Sequence, residues 1–250
     1  MAKTLFVFFL LISSINADDL DFKQIFSNLN IDGTLVVSSL KSTKTYIYNQ
    51  QRADTRFTAA STFKIPHTLI ILNENLLINE NDIIKWDNIK RGYDLWNKDQ
   101  TLKSAISVSC VWCYKQFTQY ISKEKYLDYL NKFNYGNKTI GIDKSSFWLN
   151  GDLKISAYEQ IDFLKKLYNN NLPINQKHLD TTKNILSIDK NEYYELKAKS
   201  GWDGNVGWYV GYIITQQNIY FFAMNANVNR DQLSLRKSIV MAALKSKKII

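Results

Sequence analysis

Histidine, cysteine and proline occur twice each in this chain of 250 residues, and glycine only nine times. A tetrahedral metal site needs four ligands of the His, Cys or carboxylate kind. Cys110 and Cys113 are close in sequence, but His67 and His178 are far from them and from each other, so no metal is expected. No G-x-S-x-G element is present and neither histidine sits in a motif, which argues against a Ser-His-Asp hydrolase. Sparse Pro and Gly, beside 14% aromatic residues, exclude disordered, collagen-like and low-complexity chains. No apolar run reaches the length of a membrane span; Leu5–Ile12 is too short, so no stable membrane anchor is expected. The net charge is +9, but the lysines are scattered, and only Lys245, Lys247 and Lys248 cluster. That pattern fits a solvated basic surface that favours small anionic substrates, not a nucleic-acid groove.

The 45% hydrophobic content suffices for one large domain or two subdomains. Residues 1–17, MAKTLFVFFLLISSINA, carry Lys3, the apolar run and a small-residue stop at Ala17. They are expected to be an export signal that leads to a periplasmic or secreted product. In the remainder, 18–250, GTLVVSSL, KTYIYN and a third run ending at Phe57 alternate as strands of a meander. Ser61 to Asn73 turns helical, with Pro66 in its first turns. TLKSAISV, SKEKYLDYLNKF and SAYEQIDFLKKLY have apolar residues three and four apart, with Ser122 and Ser156 as N-caps, while His178 falls in a polar loop. YYELKAKSG, VGWYVGYII and IYFFAMNANV return to strands, and a last helix, Gln232 to Lys245, buries Leu235, Ile239, Ala242 and Ala243. The expected fold is an α+β sandwich: an antiparallel sheet built from both chain ends, about 18–60 and 190–250, flanked by helices. An all-helical subdomain, about 61–189, is inserted between them.

Ser61-Thr62-Phe63-Lys64 is the first candidate for chemistry. Residues three apart share a helix face, and a lysine in apolar surroundings gives up its proton readily enough to take one from a hydroxyl. Four other S-x-x-K matches exist, at Ser38, Ser122, Ser187 and Ser234. Only Ser61 has apolar neighbours and stands where a strand meets a helix. Lys199-Ser200-Gly201, the chain's single K-[ST]-G, ends a strand and offers a cation and a hydroxyl, with a glycine that permits close backbone approach. Cys110 and Cys113, at C-x-x-C spacing, are read as small buried hydrophobes rather than a redox or metal pair.

Taken in order, these two motifs resemble the penicillin-recognising acyl-transfer enzymes. Ser109-Cys110-Val111, Tyr135-Gly136-Asn137, Phe147-Trp148-Leu149, Gly207-Trp208-Tyr209-Val210-Gly211, Asn225-Ala226 and Leu235-Arg236-Lys237 narrow the resemblance to the class D serine β-lactamases over nearly the whole mature chain. The resemblance implies hydrolysis of penicillin-type β-lactams through an ester on Ser61. It implies Lys64 carboxylated on Nζ by carbon dioxide or bicarbonate, with no other cofactor. Trp148 would hydrogen-bond that group, and Val111 with Leu149 would wall its pocket. Ser109 would relay a proton to the leaving nitrogen. Lys199, Ser200 and Arg236 would receive the substrate carboxylate, and the N–H groups of Ser61 and Trp202 would form the oxyanion hole beside Gly201. Asn137 is read as structural. The alternative within the same resemblance is a β-lactam sensor or transpeptidase-like protein that acylates and turns over slowly. Two departures stand out: K-S-G in place of the commoner K-T-G, and thiols flanking Val111 that are able to oxidise in an oxidising compartment.

Overall fold

Strands from the two ends of the chain form one antiparallel sheet in the computed structural model, which describes residues 18–250. The export signal expected over 1–17 lies outside the described residues. Helix α1 (Leu20–Leu29) leads into β1 (Gly33–Ser39), β2 (Thr45–Tyr48), α2 (Gln50–Asp54) and β3 (Phe57–Thr58). A 3₁₀ turn at Ala60–Phe63 runs directly into α3 (Lys64–Asn73). The middle of the chain holds β4 (Ile83–Ile84), β5 (Gln100–Thr101), α4 (Leu102–Ser107), α5 (Val111–Lys115), α6 (Lys123–Phe133), β6 (Lys154–Ile155), α7 (Ala157–Tyr168) and α8 (Gln176–Ile185). The chain then returns through β7 (Ser187–Lys190), β8 (Tyr194–Trp202), β9 (Val206–Thr215), β10 (Ile219–Asn227) and α9 (Leu235–Ser246).

The six-stranded sheet has the order β2-β1-β10-β9-β8-β7, with β1 closing on β10 from Gly33↔Ala226 to Ser39↔Tyr220. Successive side chains on a strand point to opposite faces, and both faces of this sheet are dry. Val36, Trp208, Val210, Tyr212, Phe221 and Ala223 pack into the core shared with the helical middle of the chain. Leu35, Val37, Leu196, Ala198, Tyr209, Ile213, Phe222 and Met224 pack beneath α1 and α9. This covering explains why the strands read as near-continuous apolar runs.

Ser122 and Ser156 cap α6 and α7, each accepting from the backbone N–H three residues on, and Glu159 completes a capping box with Ser156. Three expectations are corrected. The run before Phe57 is not a third meander strand. Asn49 takes a left-handed φ of 55° and its side chain accepts from Arg52 N–H, so the chain turns into α2; only Phe57–Thr58 is extended, pairing with β6 outside the main sheet. His178 lies within α8 rather than in a loop, because Asn175 caps that helix just upstream. In the last helix Val240 and Leu244 are buried with Ile239 and Ala243, Leu235 is half-buried and Ala242 is exposed. The packed stripe follows the 3.6-residue period rather than the neighbouring alanines.

Arg52 joins the chain ends. Its guanidinium donates to Asn225 Oδ1 at 2.7 Å, Asp32 Oδ2 at 2.7 Å and Asn227 Oδ1 at 2.8 Å. Three acceptors around one planar cation are worth more than one exposed ion pair. Replacing Arg52 with Ala is expected to destabilise the fold by about 1–3 kcal/mol, because the buried Asn225 oxygen loses its charged donor. The midpoint of urea unfolding checks this, and an unchanged midpoint refutes it.

Candidate active site

Lys64 is the first residue of α3 and is fully buried. Its amine donates to Ser61 Oγ at 2.8 Å. Ser61 sits in the preceding 3₁₀ turn, whose carbonyls accept the Lys64 N–H, and it is nearly buried itself. The turn is fixed from beneath: Thr62 Oγ1 donates to the Ala59 carbonyl at 2.6 Å and accepts from Gln160 Nε2 at 2.8 Å. Ala60, just before Ser61, takes a left-handed φ of 47°, a conformation that disfavours any residue with a Cβ. Burial drives the Lys64 amine well below its ordinary value of 10.5, and the nearby charge of Lys199 drives it further.

Rings surround this pair. Tyr114 has its ring centroid 5.4 Å from Lys64 Nζ, and its hydroxyl shares a hydrogen bond with Thr68 at 2.8 Å. Trp148 stacks on Phe63 with centroids 5.6 Å apart and meets His67 edge-on at 5.3 Å. Its Nε1 is buried and has no hydrogen-bond partner among the described residues. His67 does not approach Ser61; its Nε2 pairs with the Tyr126 hydroxyl at 2.8 Å. Burial, with Lys64 nearby, lowers its pKa to about 3, so it stays neutral. Motif reading passed over Tyr114, Thr68 and His67. Spacing held a signal for two of them: His67 and Thr68 follow Lys64 by three and four residues and so share its helix face.

The sheet supplies the facing side. Lys199 and Gly201 lie two apart on β8 and point to the helical layer. Lys199 Nζ donates to Ser109 Oγ at 3.1 Å and to the Ser200 carbonyl at 2.9 Å. Burial, and then the Arg236 charge, lower the Lys199 amine to about 7. Gly201 passes so close to the nucleophile turn that a Cβ there would lie 3.2–3.3 Å from Thr62 Cγ2, Thr62 N and Ser61 N. This is the close approach for which a glycine is needed. Trp202 closes β8 with its indole N–H on the Val228 carbonyl at 3.0 Å, and a turn of three residues leads to β9.

Ser200 alternates to the other face, where it lines a cavity of about 370 Å³ with Tyr209, Arg236 and Lys237. Arg236 lies along Gly207, where a Cβ would sit 2.8 Å from its Cδ, and its Nη1 donates to the Gly201 carbonyl at 2.7 Å. Arg236 and Lys199 therefore converge on one end of β8 from opposite faces. Val111 opens α5 half-buried, and Leu149 packs half-buried against the main core. Asn137 works inside its loop, donating to the Asp152 carbonyl and accepting from Lys154 N–H at 2.9 Å. Cys110 and Cys113 are fully buried, as expected, but joined by a disulfide rather than free. Cys110 caps α5, and the helical turn brings its Cα to 5.5 Å from that of Cys113, within bonding range. Among the described residues no group of three or more His, Cys, Asp or Glu side chains could hold a metal ion.

Comparison with known proteins matches residues 32–245 to the penicillin binding protein transpeptidase domain. The chain is 40% identical over 225 residues to β-lactamase OXA-20 of Pseudomonas aeruginosa, covering 88% of this chain and 85% of that protein. It is 36% identical over 230 residues to β-lactamase OXA-48 of Klebsiella pneumoniae, covering 90% and 87%. Among solved structures, the class D β-lactamase FUS-1 of Fusobacterium nucleatum superposes with a TM-score of 0.91 at 38% identity, over 94% of this chain and all of that one. The class D β-lactamase of Sebaldella termitidis gives 0.89 at 37%, over 93% and 98%. Family match, sequence relatives and fold agree with the site's geometry, and the chain belongs to the class D serine β-lactamases.

Proposed function

We propose that this enzyme opens the ring of penicillin-type β-lactams by acylating Ser61 and then hydrolysing the ester. The observation that carries the proposal is the 2.8 Å contact between Ser61 Oγ and a fully buried Lys64 amine. A neutral amine at that distance accepts the hydroxyl proton as Oγ attacks the lactam carbonyl. The developing oxyanion faces the N–H groups of Ser61 and Trp202, which the close packing of Gly201 on the Ser61 turn keeps near each other. Ser109, hydrogen-bonded to Lys199, passes a proton to the departing nitrogen. Lys199, Ser200 and Arg236 receive the carboxylate. The basic balance of the chain favours such an anionic ligand and requires neither nucleic acid nor a membrane partner. Export to the periplasm or medium belongs to the same reading, since β-lactams act on cell-wall synthesis outside the cytoplasm.

Carboxylation of Lys64 by carbon dioxide fits the residues present. The amine is buried, with its proton affinity driven well down, and Trp148 Nε1 is a donor without a partner among the described residues in the adjoining aromatic cluster. Lys64 and Trp148 would hold the group, which supplies a carboxylate-type base where water must be activated.

Four measurements test the proposal. Purified enzyme mixed with a penicillin, quenched early and digested, should carry one adduct on the Ser61 peptide; an adduct on another serine overturns the assignment. Lys64→Met should abolish acylation yet stabilise the fold by roughly 1–3 kcal/mol, because a buried polar group that opposes folding is removed. Burial sets the Nζ proton affinity well below that in the unfolded chain, so between the two values the unfolded state binds more protons and wild-type stability rises with pH up to 10.5. The gain in Lys64→Met should therefore be largest at neutral pH and fade towards 10.5. An equal gain at every pH would sink this account. Arg236→Ala should raise KM for penicillins by about ten- to hundredfold with a smaller change in kcat, the scale of a charge-assisted contact. Trp148→Phe keeps the ring but loses the N–H. It should lose the ¹³C carbamate signal seen with labelled bicarbonate, accumulate acyl-enzyme, and recover partly at high bicarbonate. A wild type at full rate without that signal would mean that Lys64 works as a plain amine.

A further inference from the structure

Ser109 occupies an unfavourable backbone conformation. Its φ is 55°, in the left-handed region that a residue with a Cβ avoids. It lies in the short link between α4 and α5 with its Oγ accepting from Lys199 Nζ at 3.1 Å. Something must hold the link in that shape. On the upstream side, Ser109 N–H donates to the Ile106 carbonyl at 3.3 Å, and Cys110 N–H to the Ala105 carbonyl at 2.8 Å. These bonds tie the link to the end of α4. On the downstream side Cys110 is the cap of α5, its sulfur accepting from Cys113 N–H at 3.3 Å. The Cys110–Cys113 disulfide is the covalent tie between the residue next to Ser109 and the body of α5. Both cysteines are fully buried, so a redox-exchange role towards other proteins is excluded by access. Val111, the other residue placed at the site on this segment, is one of the two residues the bridge encloses. α5 is only five residues long, too short to hold its own first turn by helix hydrogen bonds alone.

We propose that the Cys110–Cys113 disulfide is a positioning element for turnover: it locks the strained Ser109 with its hydroxyl on Lys199, and the enzyme works at full rate only when the bond is closed. The inference rests on the reading of Ser109 as the proton relay. Closing the bond from two thiols releases two protons and two electrons. A disulfide-bearing oxidant, such as oxidised glutathione, takes up both and leaves as two thiols. Class D chemistry would then depend in this chain on the oxidising compartment that the expected export provides.

The test compares wild type, Cys110→Ala/Cys113→Ala, Ser109→Ala, and the triple variant, all as full-length enzyme with active sites titrated by acylation. The double cysteine variant is expected to lose about tenfold in kcat with little change in KM, the scale of a displaced reacting group. Ser109→Ala should lose at least as much, and removing the cysteines from Ser109→Ala should cost nothing further, since the disulfide acts through Ser109. A merely structural bond would lower Tm and leave kcat per titrated site unchanged in the double variant; that result overturns the inference while leaving the Ser109 reading intact. If Ser109→Ala turns over at the wild-type rate, the relay reading itself fails and the inference falls with it. Should the double variant not fold, wild type is refolded from denaturant with its thiols reduced or with oxidised glutathione present, the thiols being counted by alkylation in denaturant, because both are buried in the folded chain. Kcat per site should rise about tenfold as two alkylatable thiols disappear, by the same reasoning; an unchanged kcat overturns the proposal.

Discussion

The burial of one lysine beside one serine organises this molecule. Among the described residues Lys64 has no carboxylate partner, and it is closed off from water, so burial drives its proton affinity well below 10.5 and the folded state bears the cost. That cost explains much of the surrounding packing. An amine kept from protonation needs dry surroundings: Tyr114 lies over Nζ, and Phe63, just before Lys64, is packed against Phe147 and Trp148. His67, which could have added a second charge, is held neutral by the same burial and occupied by Tyr126. The stability given up at Lys64 is the usual trade between a prepared site and a stable one.

The sheet contributes what the helices cannot, a rigid edge with alternating faces. One strand, β8, presents Lys199 and Gly201 towards the nucleophile turn and Ser200 towards α9, simply because side chains alternate. Lys199 stands near Lys64 on one face of β8, and Arg236 reaches the same end of the strand from the other face. Each depresses the proton affinity of a neighbour: Arg236 acts on Lys199, and Lys199 on Lys64. Such a cluster is costly when empty and is relieved by a ligand carrying negative charge, which is what a β-lactam carboxylate offers. Arg236 is itself anchored to the Gly201 carbonyl, so the cation and the strand edge move as one body.

Strain sits where the chemistry is proposed. Ala60 and Ser109 both have left-handed backbones, and one precedes the nucleophile while the other carries the hydroxyl facing Lys199. Neither conformation persists unless neighbours over-determine it. For Ala60 the restraint is the Thr62–Ala59 and Gln160–Thr62 hydrogen bonds; for Ser109 it is the α4 carbonyls and the disulfide.

The strand and helix runs were legible along the chain because their signals are local. GTLVVSSL and IYFFAMNANV carry β-branched and aromatic residues, Ser122 and Ser156 are caps, and each signal needs only near neighbours to be read. S-T-F-K was legible as a candidate for the same reason, since spacing on a helix follows from sequence alone. What depends on contacts across the chain was not. The place of α2 in the fold, though its Asn49 cap is local, depends on Arg52 meeting Asn225 and Asn227 across 173 and 175 residues. The roles of Tyr114 and Thr68 around Lys64 came from the packing of α5 on α3. The state of Cys110 and Cys113 was left open by their spacing, which fits a thiol pair and a bridge equally. Only the turn into α5, with its direction set by the packing of α4 and the strained Ser109, brings the two sulfurs together. The amino-acid order determined which elements form and which side chains can do chemistry; tertiary structure decided which of them are dry, which are charged and which meet, because burial and electrostatics depend on neighbours that are distant in sequence.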